Sequence, residues 1–208
     1  MTWRAELSIL FIPMSSSLFL LALLLVAPAH AALLGRLLGK KPSVPQPTPL
    51  DATIQPKDCM GTWYVQHQVP ALAFLEGGAR NGMELYEWNS EADGGDFSVR
   101  YTFNRKDAAP DAITTVRQRG WVASDEGTSW KVAPWLGKFY APVRLPFIML
   151  DVDPAKYMVC TGGLKSWMYL MTRERQPDAA VLDACLATVE AAGFDMSKVM
   201  RMEQDATQ

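Results

Sequence analysis

Three cysteines and two histidines are the residues here whose types could supply a thiolate, an imidazole base or a soft metal ligand. No two of Cys59, Cys160 and Cys185 share the short spacing of a zinc site. His30 falls in an apolar N-terminal run, which leaves His67 as the imidazole of the remaining chain. A metal or haem site on a single histidine needs partner ligands, and no cysteine or histidine neighbours His67 in sequence. A cysteine nucleophile needs an activating base, and none is visible beside Cys160. Catalysis, a metal site and a resident cofactor are therefore not expected. Non-covalent binding through aromatic side chains is the better reading.

The aromatics must be positioned by strands. Gly61-Thr62-Trp63-Tyr64 opens the first strong strand pattern after a Pro-rich stretch, and Ser166–Arg173 forms a plausible counterpart about a hundred residues later. An indole at one strand end and a guanidinium at another suit a closed barrel with Trp63 as floor and Arg173 lying across it. Between them the pattern is β throughout. Strands are expected at Gly61–Val69, Met83–Asn89, Phe97–Phe103, Ile113–Ala123, Thr128–Ala133, Leu145–Val152, Tyr157–Thr161 and Ser166–Arg173. Short turns join them, including Ala92-Asp93-Gly94-Gly95. In the third strand Phe97, Val99, Tyr101 and Phe103 alternate with Ser98, Arg100 and Thr102, so one face is buried and the other wet. Eight strands in succession predict an all-β, antiparallel up-and-down barrel.

One helix interrupts the series. Pro177-Asp178 opens it and Gly193 closes it, with Leu182, Cys185, Leu186 and Val189 on one stripe that should pack outside the barrel. Lys198–Glu203 could add a last strand.

Length and composition favour one folded domain: 208 residues, 49% hydrophobic and 20% charged. From Asp58 onward 15 Lys and Arg face 20 Asp and Glu, a net of −5 that argues against a nucleic-acid partner. Ser17–Val26 is an apolar run of signal-peptide length followed by Ala29-His30-Ala31, so residues 1–31 are expected to be an export signal, with an uncleaved anchor as the alternative. Residues 32–57 read as a linker: a basic, apolar piece from Leu33 to Lys41, then the Pro-rich tether Pro42–Pro56. Residues 58–208 are the expected domain. Its location would be the secretory pathway, whether extracellular, periplasmic or an organelle lumen.

The ordered motifs Gly61-Thr-Trp-Tyr64, Asp93-Gly-Gly95, Tyr157-Met-Val-Cys160, Trp167–Arg173 with Pro177-Asp178, and Ala192–Lys198 resemble the lipocalin family. Within it the chain is similar to the bacterial lipocalin and apolipoprotein D group across Asp58–Gln204. One departure is Asp153-Pro154, where the family's second motif usually has Asp-Tyr. The lack of a cysteine before Cys59 is another, since bacterial, outer-membrane-anchored members carry a lipidated one.

The resemblance implies a carrier of a small hydrophobic ligand such as a fatty acid or lysophospholipid, acting in membrane maintenance or stress protection. It also implies a Cys59–Cys160 disulfide, as in exported relatives, and aromatic lining at Tyr86 and Trp88. Strand alternation adds Val65, His67, Val99, Tyr101, Phe103, Trp167, Tyr169 and Met171 to the cavity wall, over a floor of Gly61, Trp63 and Arg173. A barrel of this size is just wide enough for one small ligand. The alternatives are an isomerase or redox enzyme using Cys160, and a barrel so filled with aromatics that it binds only partners. Leu72, Phe74, Leu75, Trp135, Phe139 and Tyr140 are apolar loop residues expected at the open end, facing a membrane surface or folding as a lid.

Overall fold

The structure is a computed structural model that describes residues 47–71, 73–88, 94–109 and 111–205. The expected signal peptide, most of the linker, Leu72 and the tip of the second hairpin lie outside the described residues.

Among the described residues nine strands form one sheet. They are β1 (Gly61–Val69), β2 (Arg80–Trp88), β3 (Phe97–Asn104), β4 (Ile113–Val122), β5 (Ser129–Pro134), β6 (Leu145–Asp153), β7 (Tyr157–Thr161), β8 (Met168–Thr172) and β9 (Met200–Arg201). Each of β2 to β8 pairs antiparallel with the next, β8 pairs with β1, and β1 meets β2, so the first eight close into a barrel. The expected barrel is therefore present. A short helix, α1 (Ala73–Glu76), sits between β1 and β2 and was not expected from the sequence. The longer α2 (Ala179–Ala191) lies outside, with the Asp178 carboxylate accepting from the Ala180 amide at 2.8 Å as its N-cap. Cys185 and Val189 of α2 bury against Val159, Met168 and Leu170, which are outward residues of β7 and β8.

The floor is a cation on an indole. The Arg173 guanidinium stands 3.6 Å from the centre of the Trp63 ring. Its nitrogens donate to the carbonyl oxygens of Pro154 at 2.8 Å and of Thr62 and Asp58 at 3.0 Å each. The planar fork thus ties three separate backbone segments to one aromatic face. Gly61 suits the entry to β1 because it holds a left-handed φ of 94°, strained for any other residue, with Arg173 Nη1 3.4 Å from where a Cβ would stand. The Trp63 indole in turn donates to the Cys59 carbonyl at 2.8 Å.

Closure above the floor is less direct. β1 and β2 pair only from Gly61–Tyr86 to Tyr64–Met83. Beyond that the C-terminal segment fills the gap. β9 pairs with His67 and Gln68, the Met202 amide donates to the Gln66 carbonyl, and the Asn81 amide donates to the Glu203 carbonyl. The Gln204 side-chain amide bridges the Val65 and Gly82 carbonyls at 2.8 and 2.9 Å. Met202 enters the core beside Gly82, where a Cβ would meet the Met202 sulfur at 2.2 Å. The last expected strand therefore exists, but as a gasket beside β1.

The end of the Pro-rich stretch contacts the barrel. The Leu50 amide donates to the Met149 carbonyl and the Ile54 amide to the Glu126 carbonyl, and Ile54 packs on the barrel core. These backbone groups find their partners on the barrel, so the end of the Pro-rich stretch is part of the folded unit.

Replacing Arg173 with Ala removes three carbonyl partners and the stacking, and is expected to cost about 3 kcal/mol in urea denaturation. Arg173→Lys should recover only part of it, because an ammonium cannot reproduce the fork. A loss under about 0.5 kcal/mol for Ala would contradict the floor's role.

Candidate functional site

The interior divides into two levels. Next to the floor, Tyr86, Phe97, Trp130 and Phe147 pack ring on ring, with centroid separations of 4.7 to 6.1 Å. Above them the wall is mixed. Tyr101 and Phe103 of β3, Tyr169 of β8 and Trp167 just before it line the upper half, and the Tyr101 and Tyr169 rings are 5.8 Å apart. Met149, Met158, Met171 and Met202 fill the remaining core with flexible thioethers.

Most of the expected lining is brought together. Val65, Tyr86, Val99, Tyr101, Phe103, Tyr169 and Met171 belong to one buried cluster with Trp63, and Trp167 packs against it half-buried.

Two expected lining residues are corrected. His67 does not face the interior, because β1 carries an irregularity between Val65 and His67 that shifts its register on β8. After the shift His67 pairs with Leu170, an outward residue packed under α2, and Gln68 takes the inward position opposite Tyr169. A single slipped residue reverses which face each side chain takes. Burial and the nearby Arg201 hold the His67 imidazole below its ordinary pKa. Trp88 shares the face of Phe97 but is the last residue of β2, beyond the end of pairing with β1 at Tyr86. It is 42% exposed, with the Lys57 ammonium 5.1 Å above its ring.

The implied disulfide is also corrected. Cys59, Cys160 and Cys185 are separate buried thiols. Cys160 lies between Met149 and Tyr169 in the register of β6 to β8, with its thiol 3.7 Å from the Tyr169 carbonyl. Cys59 ends a helical turn beneath Trp63. Burial pushes the Cys59 thiol up to about 11 and raises Cys160 well above the ordinary thiol range. Thiols held protonated in this way are poor nucleophiles.

Sequence reasoning missed the polar groups inside. Glu84 of β2 is 2% exposed, pairs across the sheet with Trp63 and Tyr101, and accepts a hydrogen bond from the Tyr86 hydroxyl. Glu76, the last residue of α1, turns inward from the mouth and accepts from the Tyr169 hydroxyl at 2.6 Å. Gln68 donates to the Glu76 backbone carbonyl at 3.1 Å. Burial, and secondarily the Glu76 charge, push the Glu84 carboxyl up to about 7, against the hydrogen bond from Tyr86. Burial and these carboxylates also raise Tyr86, Tyr101 and Tyr169 well above the usual phenol range. The alternation of β2 held one available signal. Glu84 falls two residues before Tyr86, on the same inward face.

No group of three or more His, Cys, Asp and Glu among the described residues is arranged to hold a metal ion.

At the open end the expected rim separates. Phe74 and Phe139 are 56% and 55% exposed. Leu75 packs on the core, and Trp135 and Tyr140 meet edge to face at 4.9 Å across a β-bridge.

The model of the lipocalin-like domain matches residues 55–204, which is most of the chain, and the chain belongs to this family. Among solved structures it is similar to insecticyanin from the tobacco hornworm, with a TM-score of 0.59 at 14% identity over 78% of this chain and 86% of that one. Lobster apocrustacyanin A1 gives 0.54 at 12% identity, covering 81% of this chain and 95% of that one. The siderocalin Ex-FABP gives 0.51 at 14% identity, covering 72% and 97%. No curated protein matches the sequence.

Glu84 sets a pH dependence whose sign follows from its raised value. The folded state holds the Glu84 proton more tightly than the unfolded chain, so its stabilising contribution is complete below about pH 4.5 and is lost as pH rises through about 7. Glu84→Gln should therefore match the wild type near pH 4 and exceed it at pH 8 in urea denaturation. Parallel profiles for the two proteins would contradict an ionisable, buried Glu84.

Proposed function

We propose that this protein is an exported carrier of a small hydrophobic molecule, with a single-chain lipid such as a fatty acid or lysophospholipid as the first class to test. The observation that carries the reading is the one-ended barrel. Trp63 and Arg173 stop one end, while α1 and the loops after β3, β5 and β7 surround the other. The lining between is aromatic and thioether-rich. Each methylene withdrawn from water into such a lining contributes roughly 0.8 kcal/mol. Because Glu76 and Glu84 make the interior acidic, an anionic head group stays at the mouth. The match to the family model and the burial that keeps the Cys160 thiol protonated support a binding role over an enzymatic one.

The finer placement near the bacterial lipocalin and apolipoprotein D group, with roles in membrane maintenance or stress protection, rests on the sequence motifs. Export rests on residues 1–31. Denaturing natively purified protein and analysing the released small molecules by mass spectrometry should yield a near-stoichiometric amphiphile. An empty interior that also leaves tryptophan fluorescence unchanged on adding hydrophobic probes would favour the filled, partner-binding barrel.

The exposed rings of Phe74 and Phe139 at the mouth fit delivery at a membrane surface. Co-sedimentation with phospholipid vesicles should fall in the Phe74→Ser, Phe139→Ser double variant. Equal binding by the double variant would remove membrane contact from the reading.

A further inference from the structure

The upper interior carries more hydrogen-bond acceptors than a purely apolar ligand would use. Glu84 and Tyr101 are cross-strand partners on the inward face of β2 and β3. The Tyr101 ring faces that of Tyr169 at 5.8 Å, and Tyr169 pairs with Gln68 across β8 and β1. Tyr169 donates to Glu76, and Gln68 holds the backbone of that residue. Five polar side chains from four strands and α1 thus converge in one region of the barrel. The Oε1 atom of Gln68, a residue 1% exposed, has no hydrogen-bond partner within the described residues, and the Tyr101 hydroxyl, on a residue 2% exposed, has only a loose contact with Tyr169. Leaving buried polar atoms unpaired is costly, and such atoms inside a container mark where a ligand makes hydrogen bonds.

We propose that this cluster is a subsite for a protonated amine, which seats its ammonium between the carboxylates of Glu76 and Glu84 with the Tyr101 hydroxyl and the Gln68 carbonyl oxygen as further acceptors. The ligand is then an amphipathic amine that enters head first, its hydrocarbon part running up past Phe103 and Trp167 toward the mouth. This rests on the reading of the barrel as a ligand container.

Three physical arguments select an amine. An ammonium brings donors and a positive charge to a region rich in acceptor oxygens and carboxylates. The surrounding phenol and indole faces attract an organic cation, whereas a hard metal ion takes six or more oxygen ligands at short range. Two carboxylates in a water-excluded interior resist joint ionisation unless a cation lies between them. The groups facing Glu84 are Tyr86 on its own strand, Tyr101 on β3, Cys160 on β7, Tyr169 on β8 and Glu76 on α1, and none of them is cationic. The thioethers of Met149, Met158, Met171 and Met202 can change rotamer to admit a chain.

Octylamine, octan-1-ol and octanoate, matched in chain length, separate the possibilities in titration calorimetry on the full chain. Octylamine is expected to bind at least about tenfold more tightly than octan-1-ol at pH 8. In buffers of differing ionisation enthalpy, its binding should release about one proton at pH 6 and almost none at pH 8.5, as Glu84 surrenders its proton to the solvent. Glu84→Gln should bring the amine-to-alcohol ratio close to one and abolish the proton release. Tyr101→Phe, which removes only the hydroxyl, should lower octylamine affinity with little effect on octan-1-ol. Equal affinity for amine and alcohol overturns the subsite while leaving the container reading intact, and so does tightest binding of octanoate. Stoichiometric binding of calcium that octylamine cannot displace overturns it in favour of a metal site. Failure of all three chains to bind removes the container reading itself.

Discussion

The structure depends on closing a sheet whose first and second strands meet along only a short stretch. An unclosed edge would leave backbone donors and acceptors unpaired and open the core to water. One device plugs the end and another completes the seam. At the floor, one guanidinium reaches three backbone carbonyls and stacks on Trp63. Higher up, the last residues of the chain lie between β1 and β2, and the Gln204 amide satisfies a carbonyl on each side. The C-terminal segment is therefore part of the wall of the container. Its Met202 is part of the contents.

That closure creates the electrostatic character of the interior. Water is excluded, so Glu84 holds its proton up to about pH 7, where an exposed glutamate would ionise some units lower. A barrel evolved solely for apolar filling would gain stability from a hydrophobic residue at that position. The carboxyl at that position, beside a second one carried in by α1, costs stability that an apolar side chain would not. α1 does two things at once, since it narrows the mouth and supplies Glu76 to the interior.

The solved structures similar to this chain share its architecture at 12% to 14% identity. Alternating patterns and a few closure residues suffice to specify such a barrel, whereas ligand choice resides in the particular side chains turned inward. The family therefore speaks to the barrel, and Glu76, Glu84, Tyr101 and Gln68 distinguish the interior of this one.

The strand succession, the outer helix with its Asp178 cap, and the floor pair of Trp63 and Arg173 were all legible in the sequence. Period-two alternation, turn residues and helix caps are local signals, carried by neighbours in the chain. Along β3, where the alternation is unbroken, Val99, Tyr101 and Phe103 all lie in the buried cluster. The misplacements arose where local regularity stops. A register shift in β1, set by its pairing with β8, turned His67 out and Gln68 in. The end of pairing with β1 left Trp88 at the surface. The polar cluster joins residues as far apart as Gln68 and Tyr169, and no local pattern announces such a meeting. Periodicity alone dictates a closed barrel with an aromatic interior. The acidity of that interior arises only in the folded chain, because burial and carboxyl proximity exist only once distant strands are closed around them.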